Sequence, residues 1–511
     1  MKKKTIILVI LIIICIIIAI IANKKISKYN YETTKVTSYN YFTLISNEKY
    51  GVIDRQGNTI ISPEYTNIII PNPEKDIFIC YKDEKTEVLN SNEEKLLTEY
   101  QNIDPIKLKN VATTLNYEKS VLKFEKDGLY GLIDFDGKVI AKNEYQSIEN
   151  LQLCEGIFLI KQNDKYGIMN LKGTVIIKPV YDNIISDGYY TEKDGYKKAG
   201  YIVSNKTDEG YRYGYITNNG KKYLEANYNY VSRISDTNNE KEVFLIASEN
   251  GKYGLYKNKK NVIKAEYQSI EYDDSSNLLI IQKNKKYGMA NLAGDIVVPL
   301  ENTSIDIKGI YIYAKLANEN KVYDKEGNKI NINFNKAIYE TENENYRIST
   351  LENDDATYYG IADKNGNLLV SEKYQYLEYA FGNYFIAKNE EGKYGLITAS
   401  GKEVLEFKYS LLQKLKGKNI LQAGDNVVQK TELYSSNIKL IYELENAKLS
   451  NEEGYVEITK DLEKIYLDAD GNKIDANAEV VKKAELLKEP DTIGDYKKIQ
   501  FTLENVYYTK E

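Results

Sequence analysis

Apolar and polar positions alternate along this chain in short runs, and no helical period is sustained before about residue 476. β-Branched and aromatic stretches such as Ile157-Phe158-Leu159-Ile160 and Tyr384-Phe385-Ile386-Ala387 are each closed by a polar turn of Lys, Asn, Asp or Gly. A second short strand then begins with Tyr-Gly, as in Tyr394-Gly395-Leu396-Ile397. A turn written D-x-x-G or N-x-x-G follows, at Asp54…Gly57, Asp134…Gly137, Asn170…Gly173 and Asp363…Gly366. An Asp or Asn side chain opens such a turn by accepting backbone hydrogen bonds, and Gly closes it with a positive φ. A Val/Ile-rich strand completes the unit. Short strands with turn signals every 8–12 residues predict antiparallel all-β structure.

The unit repeats. Tyr-Gly occurs at Tyr50-Gly51, Tyr130-Gly131, Tyr166-Gly167, Tyr213-Gly214, Tyr253-Gly254, Tyr287-Gly288, Tyr359-Gly360 and Tyr394-Gly395. Successive glycines are 80, 36, 47, 40, 34, 72 and 35 residues apart, so the two doubled gaps each call for a decayed copy. KTEVLNSNEEKLLTEYQNI from Lys85 and KVYDKEGNKININ from Lys321 fill them. Two more decayed copies, TELYSSNIKLIYEL from Thr431 and KIYLDADGNKIDA from Lys464, follow the last pair. The expectation is therefore about twelve tandem antiparallel β-meander repeats over residues 42–475. They either curve into propeller-like blades or wind as an open superhelical array.

A second tyrosine marks seven of the eight clear units and the first decayed one. Tyr65, Tyr100, Tyr145, Tyr181, Tyr228, Tyr267, Tyr374 and Tyr409 are each followed three residues later by Ile68, Ile103, Ile148, Ile184, Val231, Ile270, Leu377 and Leu412. These tyrosines read as packing between units rather than as a ladder for stacking on sugars. The Gly of Tyr-Gly reads as a bulge or a close backbone approach.

The pattern K-Y-G-[LIV]-x-D-x-x-G-x-[IV]-x-x-x-x-Y-x-x-I resembles the WG-repeat family of bacteria, with Tyr in place of the family's Trp in all eight clear copies. The resemblance covers about 430 residues. It implies a β-rich repeat of bacterial, often cell-envelope, proteins, and it brings no catalytic residues with it.

The ends of the chain differ from its middle. Lys2, Lys3 and Lys4 precede a charge-free run from Ile6 to Ala22, and Lys24, Lys25 and Lys28 follow it. As a helix those seventeen residues span about 25 Å, close to a bilayer core, with flanking lysines covering the deficit. Ile20 two residues before Ala22 makes a poor signal-peptidase site, and Ile14 before Cys15 spoils a lipoprotein box. Residues 1–23 are thus expected to be an uncleaved transmembrane anchor, contacting the lipid bilayer through residues 6–22, with the bulk of the chain extracytoplasmic. Residues 24–41 read as a polar stalk. Residues 476–511 read as a C-terminal cap, with a short helix over Ala476–Lys488 and a final strand from Lys498 to Tyr508.

Composition narrows the chemistry. Net charge is −6, so no basic face for nucleic acid is implied. Histidine and tryptophan are absent, which removes the usual neutral-pH base and the commonest transition-metal ligand. Cys15, Cys80 and Cys154 lack metal or redox spacing, and the latter two read as lone buried thiols. The acid pairs Asp273-Asp274 and Asp354-Asp355 read as solvated loops. Asp134-Phe135-Asp136-Gly137 and Asp468-Ala469-Asp470-Gly471-Asn472 faintly resemble calcium loops, but neither has the distal bidentate Glu. The expectation is no enzyme, no cofactor, no metal site and no assigned binding residue. The leading function is a membrane-anchored binding or scaffold module for a protein or cell-wall glycan. The alternatives are an envelope polysaccharide hydrolase using Asp/Glu and a passive spacer. An exposed aromatic or charged patch confined to consecutive units would favour the binder over the spacer.

Overall fold

A computed structural model describes residues 31–510, apart from residues 84, 112–114, 192–194, 235–241, 354, 426–429, 462 and 503–504. The expected anchor, residues 1–23, and the start of the stalk lie outside the described residues. Among the described residues no helix is long and apolar enough to cross a membrane.

The described chain is all-β, with twelve sheets. Eleven are four-stranded meanders whose strands follow chain order, and the remaining sheet has six strands. The eight Tyr-Gly copies and all four decayed copies fall in these sheets, so about twelve repeats is the observed number. Decay shows at the sheet margin. In the second, eighth and twelfth sheets the last strand shrinks to the two residues Lys95–Leu96, Lys329–Ile330 and Lys473–Ile474.

Each repeat has one strand more than the sequence pattern suggests. The residue three after the second tyrosine begins the next sheet. Ile148 lies in Ser147–Asn150, the first strand of the fourth sheet, while Tyr145 ends the third. The step takes one residue: Gln146 N–H already donates to the Lys161 carbonyl of the fourth sheet at 2.8 Å. Thr66, Asp182, Asn229, Gln268, Gln375 and Ser410 make the same bond at the corresponding steps. So short a connection leaves little room between neighbouring sheets, and the core is laid down there.

Local signals explain the strand geometry. At Asp54, Oδ1 accepts the N–H groups of Gln56 (2.9 Å) and Asn58 (2.8 Å), and Gly57 closes the turn at φ +87°. Asp134, Asn170, Asp363 and Asp468 repeat this turn. Beyond it, the strand carrying the second tyrosine bulges. Tyr50 faces Tyr65 and Val52 faces Ile61, so four steps on one strand match two on the other.

The chain divides into two compact units, residues 1–251 with 256–260 and 486–511, and residues 252–255 with 261–485. In the first unit the first and last strands of the described residues meet. Tyr41–Ser46 pairs in parallel with Asn505–Lys510 through Leu44 and Tyr508, giving the six-stranded sheet. In the second unit the helix Glu479–Leu486 packs Val481 against Tyr455 and Tyr466. The segment expected to act together as a terminal cap is therefore split between these two roles.

Candidate binding surface

The repeat tyrosines lie inside. Tyr65, Tyr145, Tyr181, Tyr267, Tyr374 and Tyr409 are buried, and so are all eight of the Ile, Val or Leu residues that follow them. Tyr100 and Tyr228 are half-buried. Tyr145 packs with Ile148, Phe158, Ile160 and Met169 of the following sheet, and Tyr181 with Ile184, Tyr201 and Val203. Rings held this way bind neighbouring sheets together and offer no exposed ladder to a ligand.

Asp134, Asp273 and Asp468 hold their own turns. Asp273 accepts Ser275 Oγ and Ser276 N–H, both at 2.7 Å, within its own turn. Asp355 N–H donates to Asn353 Oδ1 at 3.2 Å, while Asp354 lies outside the described residues. Asp134 and Asp468 spend their carboxylates on the repeat turn. Hydrogen bonds from Asn472, Asp470 and Gly471 hold Asp468 below the usual carboxylate range against the opposing effect of burial. Among the described residues no group of Cys, Asp and Glu is placed to hold a metal ion. Cys80 and Cys154 are free and buried in separate clusters, and Cys15 lies outside the described residues.

The fifth sheet departs from the others. Its first two strands, Asn183–Thr191 and Gly195–Thr207, run for 9 and 13 residues, the corresponding strands of the fourth sheet for 4 and 6. A bulge separates Asp187 from Gly188. The added length is written GYYTEKDGYKKAGY from Gly188 to Tyr201, inside the longest single gap between Tyr-Gly copies.

Polar side chains fix the base of this hairpin. Asp187 Oδ2 accepts the Tyr215 hydroxyl at 2.8 Å and Arg233 Nε at 2.7 Å. Both partners of the Asp187–Arg233 ion pair are nearly enclosed, and the guanidinium lies over the Tyr189 ring at 5.4 Å. Burial, together with the Asp187 carboxylate, pushes the Tyr215 hydroxyl well above its ordinary value, so it stays a donor. Lys198 Nζ donates to the Tyr201 hydroxyl at 2.7 Å, and burial draws the ammonium down to about 8. Asp187, Lys198 and Arg233 occupy no repeat position, so the periodic pattern gave no signal for them. The one sequence sign near them is the 47-residue gap from Gly167 to Gly214, which holds Asp187 and Lys198 but not Arg233.

Farther out, the rings of Tyr190 and Tyr196 meet edge to face at 5.4 Å, and Tyr190 is 67% exposed. Val180 in the fourth sheet, Ile185 and Tyr211 in the fifth, and Tyr230 in the sixth are also exposed. Single exposed apolar side chains occur on other sheets as well, among them Val139, Ile296, Leu368 and Leu440, so what sets the fifth sheet apart is its extended hairpin, held at its base and carrying the exposed Tyr190.

Comparison with family models gives four matches to the WG containing repeat, at residues 50–78, 130–166, 166–191 and 257–287. The chain carries WG repeats. The third matched WG repeat ends at Thr191, so the strand Gly195–Thr207 lies beyond it. Comparison with curated proteins gives no match. Among solved structures, Kluyveromyces lactis Hsv2p is 10% identical over 39% of this chain and 74% of its own, with a TM-score of 0.20. A eukaryotic initiation factor is 10% identical over 73% and 96%, with a TM-score of 0.28. The extracellular domain of the putative hybrid two component system BT3049 from B. thetaiotaomicron is 10% identical over 84% and 69%, with a TM-score of 0.18. At these TM-scores none of the three bears on the function of the WG-repeat chain.

Proposed function

We propose that this WG-repeat chain is a membrane-anchored binding or scaffold module. Its sheets face out of the cytoplasm, and it engages a protein or envelope glycan through the fourth to sixth sheets. The observation that carries the proposal is the extended hairpin Asn183–Thr207, whose base is fixed by Asp187, Arg233 and Tyr215 while Tyr190 stands in solvent. A spacer has no use for a stiffened projection with an exposed aromatic end. Hydrolysis is not part of the proposal, because the Asp134, Asp273 and Asp468 carboxylates are committed to their own turns.

The proposal is tested by binding of the purified chain to an envelope fraction. Tyr190→Ser combined with Ile185→Ser should weaken that binding about tenfold or more without unfolding the chain, since both side chains are exposed. Unchanged binding by the double variant would remove the hairpin from the proposal. Hydrolysis of the fraction, abolished by a single Asp or Glu substitution, would remove the non-catalytic reading. For the anchor, protein from intact cells should retain residues 2–22 and lose its sheets to external protease. A mature terminus near Asn23, or full protection, would overturn that part.

A further inference from the structure

Residues 31–40, expected to belong to a polar stalk, are held down as a strap across the first unit. The Tyr31 hydroxyl donates to the Glu155 carbonyl at 3.2 Å, and its ring sits against Gly156, where a Cβ would come within 2.7 Å of it. Thr37 Oγ1 donates to Glu74 Oε1 at 2.7 Å, and Asn40 N–H donates to the Pro73 carbonyl at 2.9 Å. Arg55 Nη1 donates to the Tyr39 carbonyl at 2.7 Å.

These contacts all fall at one end of the strands. In an antiparallel meander the turn between the first two strands and the turn between the last two share an end. The middle turn and the step to the next sheet share the other. Glu155 and Gly156 lie in the turn between Ser147–Asn150 and Ile157–Gln162, and Glu74 in that between Asn67–Ile69 and Phe78–Lys82. Arg55 lies in the D-x-x-G turn between the last two strands of its repeat. The long hairpin of the fifth sheet grows from this same end, because its turn is the one between the first two strands. Its first strand has 9 residues against 4 in the fourth sheet, which carries the tip about 17 Å farther out. Tyr196 of the hairpin and Tyr31 of the strap pack on the same buried cluster.

The strap also sets a distance. Tyr31 comes nine residues after Ala22, the end of the apolar run, and such a stretch reaches at most about 32 Å whatever its conformation. The tether is thus short, and it is attached to the end of the sheets from which the hairpin projects. The tip brings Tyr189, Tyr190 and Tyr196, while Glu192 and Asp194 balance Lys193 and Lys197. Rings with an apolar body and a polar edge settle at the level of lipid headgroups. A tip with balanced charges needs no anionic lipid to do so.

We infer that the strap turns this end of the first unit toward the bilayer and that the Tyr190 ring enters the headgroup layer. The inference rests on the membrane anchor of the proposed function. It also places the partner proposed for the hairpin at the membrane surface rather than deeper in the envelope.

The test uses the full chain reconstituted in phosphatidylcholine vesicles that carry headgroup spin labels. A fluorophore is attached at Lys197→Cys in the tip, or at Asp208→Cys just beyond the far end of the same strand, in a Cys15→Ser background. Both positions are exposed, and their eleven-residue separation along an extended strand is about 36 Å. Cys80 and Cys154 are buried. Quenching should be strong at Lys197→Cys and absent at Asp208→Cys. Adding Tyr190→Ser should weaken it at the tip. So should about twenty Gly and Ser residues inserted after Asn23, which loosen the tether. Flotation of the vesicles reads the anchor separately. A chain that does not float with them overturns the anchor, and this inference with it. A chain that floats with neither probe quenched, or with Asp208→Cys quenched as much as Lys197→Cys, overturns the inference alone. Quenching at the tip that survives both Tyr190→Ser and the longer tether does the same.

Discussion

Tyr50 and Tyr65 stand directly opposite each other on neighbouring antiparallel strands. The same register joins Tyr130 to Tyr145, Tyr166 to Tyr181, Tyr213 to Tyr228, Tyr359 to Tyr374 and Tyr394 to Tyr409. The fixed spacing of the two tyrosines along the chain is thus a cross-strand pair measured around one hairpin. In the seventh sheet the position opposite Tyr287 is Asn302, buried, with its amide donating to the Tyr287 and Pro299 carbonyls.

The glycine between the paired tyrosines is required by that register. A Cβ at Gly167 would lie 2.5 Å from the Ile177 carbonyl oxygen and 2.7 Å from Pro179 N, both backbone atoms that cannot swing aside. Gly167→Ala should therefore destabilise the first unit by about 1–3 kcal/mol, the usual cost of overpacking. Denaturant titration checks this, with Lys172→Ala at the neighbouring turn as a control expected within about 0.5 kcal/mol of the parent.

Tyr181 tests the packing of sheet on sheet. Its ring is buried among Ile184, Tyr201 and Val203, so Tyr181→Ala should open a cavity and cost about 3 kcal/mol. Hydrogen exchange should quicken in both the fourth and fifth sheets, since coupling in a repeat array runs between neighbours. Faster exchange confined to the fourth sheet would show that the ring does not join the two.

Glu432 gives the second unit a pH dependence. Burial pushes its carboxyl upward, but the hydroxyls of Tyr409 and Tyr434, each 2.6 Å away, and the Lys430 ammonium outweigh burial and hold it down at about 2. A carboxyl whose folded value lies below its unfolded value of 4.5 contributes stability that is fully present above pH 4.5. That contribution is lost as pH falls through about 2, and its upper bound is roughly 3 kcal/mol. Glu432→Gln should lower the thermal midpoint at neutral pH, with the gap from the parent closing over that acid range. A gap independent of pH would show that the network contributes through packing alone.

Arg233 is the strongest lever on the hairpin. Arg233→Met leaves the enclosed Asp187 carboxylate without its cation while the Tyr215 hydroxyl still donates to it, and removing one partner of a buried pair costs about 3–5 kcal/mol. Exchange should rise in Asn183–Thr207 before it rises in the fourth sheet. The double change Arg233→Met with Asp187→Leu should recover part of the loss, because no charge is then left unpaired. No recovery would mean that the pair acts by some route other than mutual neutralisation.

By itself the sequence determined the all-β class, the number of repeats and the role of the motif tyrosines. Those features depend on contacts within one hairpin or between adjacent sheets, and such contacts leave a mark at fixed spacing. Asp54 and Gly57 encode their turn within four residues, and Tyr145 and Ile148 encode the step from one sheet to the next. The fourth strand of a repeat leaves little mark in the sequence where it is short, as in Ser147–Asn150, with Ile148 as its one periodic residue. Tertiary structure alone decided where the C-terminal strand goes. Nothing periodic relates Leu44 to Tyr508, and a strand edge accepts any partner that the rest of the fold brings to it. The same holds for Asp187, Arg233 and Lys198. An ion pair between residues 46 apart has no local signature, and its strength comes from the burial that the assembled sheets impose.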